Sequence, residues 1–351
     1  MNGYRTAPGV EVVLKDLNIP WALAFSPQGD LYFTEREGKV NKYKNGKINT
    51  LLVLNVEARP GDEGGLLGLA FSPNYRIDKQ VYVYYTYKLK GVVTNRVSRF
   101  TENESILVDE KIVIDNIPGG RVHNGGRIKF GPDGKLYVTT GETWRRYLAQ
   151  DLKSLGGKIL RVNPDGSVPE DNPFEGSLVY SLGNRNPQGL AWYRDGTLFS
   201  SEHGPSGENG WYAHDEINVI TPGGNYGWPY VLGKGNTESY IDPIIETGED
   251  TWAPSGIEFY TGEKYTEWKN NLFIANLRGQ HLRVVKFTKN VAWKVESSFP
   301  VLEGSLGRLR DVVQGPDGYL YLCTNNRDGR GNSVEGDDLI LRITNPSELF
   351  N

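Results

Sequence analysis

The 351 residues carry 39 Lys and Arg against 43 Asp and Glu, a formal net charge of -4, so the chain exerts no general electrostatic pull toward nucleic acid. No stretch approaches the ~18 consecutive apolar residues of a membrane-spanning helix, and a single cysteine, Cys323, excludes an internal disulfide. With 43 Gly, 20 Tyr and 8 Trp, the composition is that of many tight turns joining short aromatic-rich strands.

The segment Gly9 to Leu17 has a strand pattern and precedes Trp21-Ala-Leu-Ala-Phe25-Ser-Pro, the first copy of a phrase that returns along the chain. Later copies are Leu67-Gly-Leu-Ala-Phe71-Ser-Pro, Gly126-Arg-Ile-Lys-Phe130-Gly-Pro-Asp-Gly, Gly189-Leu-Ala-Trp192-Tyr-Arg-Asp-Gly, Gly256-Ile-Glu-Phe259 and Asp311-Val-Val-Gln314-Gly-Pro-Asp-Gly. The steps between positions 25, 71, 130, 192, 259 and 314 are 46, 59, 62, 67 and 55 residues. A unit of that size, unable to bury its own apolar face, fits one four-stranded sheet stacked on its neighbours. Six units predict an all-β, six-bladed β-propeller of four-stranded antiparallel blades, a single domain over 1–351. A solenoid or an open sandwich tolerates the same alternation.

Within most copies an apolar strand leads into a Pro-Asp-Gly type turn, a second strand, a variable insertion and a third strand, such as Gly38-Lys-Val-Asn-Lys-Tyr, Gly157-Lys-Ile-Leu-Arg-Val or Asp215-Glu-Ile-Asn-Val-Ile. Asp151-Leu-Lys-Ser-Leu is the one candidate short helix. Cys323, in Tyr-Leu-Tyr-Leu-Cys-Thr, is expected to be a small buried strand residue. The C-terminal run Asp338 to Thr344 is also a strand, and the early strand is expected to pair into this last sheet, covering its open edge. The insertions hold the polar chemistry, including Glu142-Thr-Trp-Arg-Arg, Glu202-His-Gly-Pro-Ser-Gly-Glu-Asn-Gly-Trp and Asn325-Asn-Arg-Asp-Gly-Arg-Gly-Asn.

The four histidines, at 123, 203, 214 and 281, form no zinc-binding spacing, and neither a Gly-x-Ser-x-Gly elbow nor a phosphate-binding loop is present. His123 stands in Gly119-Gly-Arg-Val-His-Asn-Gly-Gly-Arg127, just before a leading strand, where a propeller has its central channel. Its ordinary pKa suits a general base, and the competing reading is a loop histidine satisfying backbone groups. Arg185, Arg278, Arg308 and Arg310 sit at strand starts and ends, and Arg308 and Arg310 alternate, so that in a strand both point one way. Guanidinium groups that converge need an anion between them, which suggests a small polycarboxylate or phosphate. Glu202 to Pro205 and Asp215-Glu216 offer oxygens suited to a hard ion such as calcium, though a solvated acidic turn explains them equally well.

Eight ordered segments resemble the soluble pyrroloquinoline-quinone-dependent glucose/sorbosone dehydrogenase family, in particular its aldose sugar dehydrogenase branch. They are Pro20-Trp-Ala-Leu-Ala-Phe, Glu63-Gly-Gly-Leu-Leu-Gly-Leu-Ala-Phe-Ser-Pro, Arg121-Val-His-Asn-Gly-Gly-Arg, Gly183-Asn-Arg-Asn-Pro-Gln-Gly-Leu-Ala-Trp, Ser201-Glu-His-Gly-Pro, Asp215-Glu-Ile-Asn, Gly224-Asn-Tyr-Gly-Trp-Pro and Gly307-Arg-Leu-Arg-Asp-Val. The resemblance implies a six-bladed propeller that oxidises the C1 hydroxyl of an aldose to a lactone with pyrroloquinoline quinone (PQQ) and Ca2+. It implies that His123 is the general base, that Glu142 orients it, and that Arg185 and Asn186 line the quinone. Arg308 and Arg310 would clamp cofactor carboxylates, and the main-chain carbonyls of Gly204 and Pro205 would bind calcium.

The chain departs from the glucose-specific branch in having Arg278 for a lysine and Glu63 for a glutamine, and Glu63 would set a second acid near the base. Asn325 or Asn326 falls near a family aspartate in the last blade. Shorter loops imply a more open site and broad aldose use, disaccharides included. The alternative is a non-redox propeller, either a calcium-dependent lactonase or a sugar-binding module, but a lactonase needs carboxylates or amides around its metal where these candidates are arginines and a histidine. The family implies a periplasmic or extracellular location. The chain opens Met-Asn-Gly-Tyr-Arg without a visible signal peptide, so either it stays in the cell or a leader has been removed. Neither the external electron acceptor nor the oligomeric state has a visible motif.

Overall fold

A computed structural model describes residues 4–290 and 292–350. Met1, Asn2 and Gly3, the start of the stretch read for a leader, lie outside the described residues.

The repeated phrase marks the start of each sheet. The first strands are Pro20–Phe25, Leu66–Phe71, Ile128–Phe130, Pro187–Trp192, Pro254–Phe259 and Leu309–Gln314, so every anchor position from 25 to 314 is a strand's last residue. Each leads a four-stranded sheet, six in all among the described residues, with neighbouring strands antiparallel. The fold is the all-β, six-bladed propeller that the repeat count predicts. The third strands fall where expected, at Lys39–Lys44, Lys158–Val162 and Glu216–Ile220.

The turn after the anchor explains why the phrase recurs. In the third copy Gly131 N–H donates to Lys135 O (2.9 Å) and Gly134 N–H to Gly131 O (3.0 Å), with Gly134 at φ +72°. Asp133 Oδ1 accepts the Lys135 N–H at 3.1 Å, and its Oδ2 accepts the Tyr137 hydroxyl of the second strand at 3.0 Å. The last copy repeats this set: Gly315 N–H donates to Tyr319 O (2.7 Å), Tyr319 N–H to Asp317 Oδ1 (3.2 Å) and the Tyr321 hydroxyl to Asp317 Oδ2 (2.9 Å). Aspartate ties the turn to itself and to the next strand, while glycine supplies the left-handed φ.

The last sheet is completed from the other end of the chain. Val10–Leu14 pairs antiparallel with Ile340–Ile343, from Val10 against Ile343 to Leu14 against Ile340, as expected. Cys323 is fully buried, its thiol 3.2 Å from Pro20 O. Asp151–Leu155 is a turn rather than a helix, because Asp151 Oδ1 accepts the Lys153 N–H at 2.9 Å and Asp151 O the Ser154 N–H at 3.0 Å, a local ring that competes with helical bonding. The nearest helix is the single 3-10 turn Arg146–Ala149. Among the described residues no helix is long and apolar enough to cross a membrane.

The chain divides into two compact units, one taking in residues up to Leu23 with Gly189–Val219 and Pro243–Asn351, the other Ala24–Gln188 and Ile220–Asp242. In the first, Leu309, Val312, Leu322, Leu341 and Ile343 pack with Tyr260 and Phe273 in one apolar core. Removing residues 1–14 strips the pairing partner from Ile340–Ile343 and exposes a sheet edge. We expect the truncated protein to melt several degrees lower by scanning calorimetry and to form larger species on size exclusion.

Candidate active site

His123 lies in the connection between Ile106–Pro118 and Ile128–Phe130, with a left-handed backbone at φ +54°. A histidine seldom adopts this conformation unaided, and several bonds hold it. The His123 main-chain N–H donates to Glu63 Oε2 at 2.7 Å. The next residue, Asn124, bonds Gly120 through both ends of its amide (3.0 and 2.9 Å), and its carbonyl accepts the buried Tyr84 hydroxyl at 2.8 Å. Gly125 N–H donates to Asn186 Oδ1 at 3.0 Å. The Glu63 carboxylate therefore meets His123 through the histidine's main-chain N–H, fixing the shape of the loop.

The imidazole is bonded at both nitrogens. Nδ1 is 2.5 Å from Glu142 Oε1, and Nε2 is 2.9 Å from Arg185 Nη2. A guanidinium can only donate, so Nε2 carries the lone pair and the ring proton sits on Nδ1, pointed at the carboxylate. All three side chains are buried, Glu142 to 1% exposure. Arg185 also lies over the Trp228 ring, 5.6 Å from its centroid, and its carbonyl accepts the Glu142 N–H at 3.0 Å. Glu142 Oε2 and Asn186 Nδ2 are buried with no hydrogen-bond partner among the described residues. The structure brings together His123, Glu142, Arg185 and Asn186, which the sequence singled out, and adds Trp228 and Trp144, which it did not.

In the other unit, Arg308 and Arg310 are both buried at the start of Leu309–Gln314. Their simple alternation is interrupted by a register shift between Leu309 and Asp311. Arg308 donates to Asp328 Oδ2 from Nε (3.0 Å) and Nη2 (2.8 Å). Arg310 donates to Asn325 Oδ1 (2.7 Å) and Ser255 Oγ (3.2 Å) and lies over the Trp21 ring at 5.3 Å. Asn325 thus meets a guanidinium, whereas Asn326 Oδ1 takes the Arg308 main-chain N–H at 2.8 Å. Asp328 was not singled out, and its one signal was its place in the polar 325–332 insertion. The Arg278 side chain is exposed, and its N–H donates to Trp252 O at 3.0 Å.

Gly204 N–H donates to Asp215 Oδ1 at 2.8 Å, and Pro205 O accepts the Ala213 N–H at 3.0 Å. Asp215 Oδ2 accepts the main-chain N–H groups of Trp252 (2.6 Å) and Ala253 (2.8 Å). Asp215, which the sequence placed among candidate metal oxygens, has three backbone amides on its carboxylate, which ties this turn together. Among the described residues no group of three or more His, Cys, Asp or Glu side chains is disposed to hold a metal.

Lys158, on a strand that reads as ordinary, is fully buried, and its ammonium donates to Leu148 O (2.5 Å), Ala149 O (3.1 Å) and Gly156 O (2.8 Å). It braces the segment that follows Glu142. Burial pulls its pKa from the ordinary 10.5 down to about 7.

A family model described as "Glucose / Sorbosone dehydrogenase" matches residues 17–341. The aldose sugar dehydrogenase YliI of Escherichia coli is 31% identical over 91% of this chain and 91% of its own. The quinoprotein glucose dehydrogenase B of Acinetobacter calcoaceticus is 29% identical over 97% of this chain and 90% of its own. A solved structure described as the PQQ-bound form of aldose sugar dehydrogenase from Streptomyces coelicolor superposes with a TM-score of 0.83 at 41% identity, covering 96% of this chain and 99% of that one. The chain belongs to the glucose/sorbosone dehydrogenase family.

Two predictions concern the scaffold. A Cβ on Gly141 would stand 1.9 Å from His123 O and 3.0 Å from Asn186 Oδ1, so Gly141→Ala should cost about 1–3 kcal/mol by chemical denaturation and displace the His123 imidazole NMR resonances. Because the fold depresses the Lys158 pKa, the unfolded chain binds the extra proton between about 7 and 10.5. The contribution of Lys158 to stability should therefore rise with pH across that window, and Lys158→Met should show a flatter dependence from pH 7 to about 10 in denaturation series.

Proposed function

We propose that this protein oxidises the C1 hydroxyl of aldose sugars, monosaccharides and disaccharides alike, to lactones, using PQQ and Ca2+ and passing the electrons to an external acceptor. The observation that carries the reading is one buried imidazole with its proton fixed on Nδ1 by Glu142 and its lone pair on Nε2. The chain's similarity to the aldose sugar dehydrogenases of E. coli and S. coelicolor supports it.

The residues suit the quinone. Arg185 and Asn186 present N–H donors from buried positions, and Asn186 Nδ2 has no partner among the described residues. Bound beside these residues, PQQ would supply the acceptor for the hydride equivalent leaving C1, and Ca2+ would supply Lewis acidity. His123 Nε2 takes the proton of the C1 hydroxyl. For this the Arg185 N–H yields the lone pair, leaving the guanidinium to stabilise negative charge nearby. Glu142 keeps the ring oriented and balances the imidazolium that forms.

We assign Arg308, Arg310 and Arg278 to cofactor carboxylates. The calcium ligands in this reading are the main-chain carbonyls of Gly204 and Pro205, hard oxygen donors of the type calcium prefers. The whole chain, 1–351, acts as one functional domain, in the periplasm or outside the cell.

The test supplies quinone and Ca2+ to the purified protein and follows aldose-dependent reduction of a dye. Activity should appear with several aldoses, fall on chelation and return with Ca2+. Failure with every aldose would overturn the reading. His123→Gln should lower kcat by about 10²–10⁴-fold while quinone still binds in an absorbance titration.

A further inference from the structure

Glu142 opens a turn whose geometry the mechanism leaves unexplained. Arg145 N–H donates to Glu142 O at 2.9 Å, and the two central residues, Thr143 and Trp144, lie at φ +54° and +62°. Two consecutive left-handed residues make a type I′ turn, which normally takes Asn-Gly because a β-branched or bulky residue is strained there. Here Thr and Trp occupy both places. The strained Thr143 is held by the turn's own last residue, its hydroxyl accepting from Arg145 Nε (3.2 Å) and Nη2 (2.9 Å). The turn sets the Trp144 indole nearly parallel to the His123 ring, with centroids 6.0 Å apart and an interplanar angle of 29°. Yet Trp144 remains 64% exposed, so core burial does not account for it. Tyr147, 68% exposed, follows three residues on.

Backbone strain that displays a large apolar ring beside a buried base points to a ligand that the ring receives. We propose that Trp144 is a stacking platform for the pyranose ring of the aldose, a specificity-determining residue that presents C1 to His123. A pyranose has a polar rim of hydroxyls and an apolar face of C–H groups. The indole face takes the C–H groups by dispersion, leaving the hydroxyls directed to polar partners. The exposed Tyr147 extends apolar surface along the same segment, in keeping with acceptance of a second ring.

The inference rests on the aldose reading above, and its test separates the two. Trp144→Asn tolerates the left-handed backbone and removes the ring, whereas Trp144→Phe keeps an aromatic face. Saturation-transfer NMR on the cofactor-free protein with D-glucose and with maltose should show transfer to the ring C–H protons. Transfer should fall about fivefold in Trp144→Asn and be largely kept in Trp144→Phe. In the loaded enzyme KM should rise by a similar factor with kcat nearly constant, and the melting temperature of Trp144→Asn should be unchanged or higher. Equal saturation transfer in wild type and Trp144→Asn, or none in wild type, overturns the platform. So does a fall in kcat and melting temperature at constant KM, because that marks Trp144 as a structural prop for the imidazole. Saturation transfer without aldose oxidation by the loaded wild type would sink the dehydrogenase reading and leave the platform standing.

Discussion

A buried imidazole held between a carboxylate and a guanidinium is the contact on which the chemistry proposed for this chain depends. Glu142 and Arg185 approach opposite nitrogens of His123, and because one only accepts and the other only donates, they leave the ring a single neutral tautomer. Buried charges of opposite sign on either side of one ring stabilise each other as well as fix it, since each lies in a region where water screens poorly. The backbone beneath is equally constrained: Glu63 takes the His123 N–H, and Asn186 takes that of Gly125. In the proposed reaction an imidazole positioned in this way would lose little freedom on meeting its substrate.

The fold was legible in the sequence because its signal is physical and repeated. The anchor residue ends the first strand of every sheet, and the aspartate of the turn spends one oxygen on the turn and the other on the following tyrosine. Such a local device can be read without tertiary knowledge. The bond from Glu142 to His123 and that from Arg185 to His123 join residues 19 and 62 positions apart. No periodicity announces them: position along the repeat brought His123 and Arg185 forward, and only the family's ordered motifs gave Glu142 its role beside the imidazole.

What escaped the sequence depends on burial and on small irregularities. Lys158 belongs to a strand pattern that suits a solvent-facing lysine, yet its ammonium is satisfied by three carbonyls of a single segment. Arg308 and Arg310 look like an alternating pair until a register shift intervenes, and Asp328, from the loop beyond, claims Arg308. Asp215 reads as a surface oxygen donor, and the structure shows three backbone amides on its carboxylate. In each case the chemistry of the residue was legible and its partner was not.

The unpaired atoms are consistent with the proposed base and are not explained by an ordinary loop histidine. A histidine kept only to satisfy its loop would be expected to sit in a closed network, because each buried polar atom left without a partner costs about 1–3 kcal/mol. Here the loop's own needs are met by Glu63, Asn124 and Asn186 Oδ1, and the imbalance falls on Glu142 Oε2 and Asn186 Nδ2. One is an acceptor and the other a donor, yet they do not bond to each other. Folding alone gives no reason to keep both costs beside a tautomer-locked imidazole, whereas a bound partner with complementary polar atoms does.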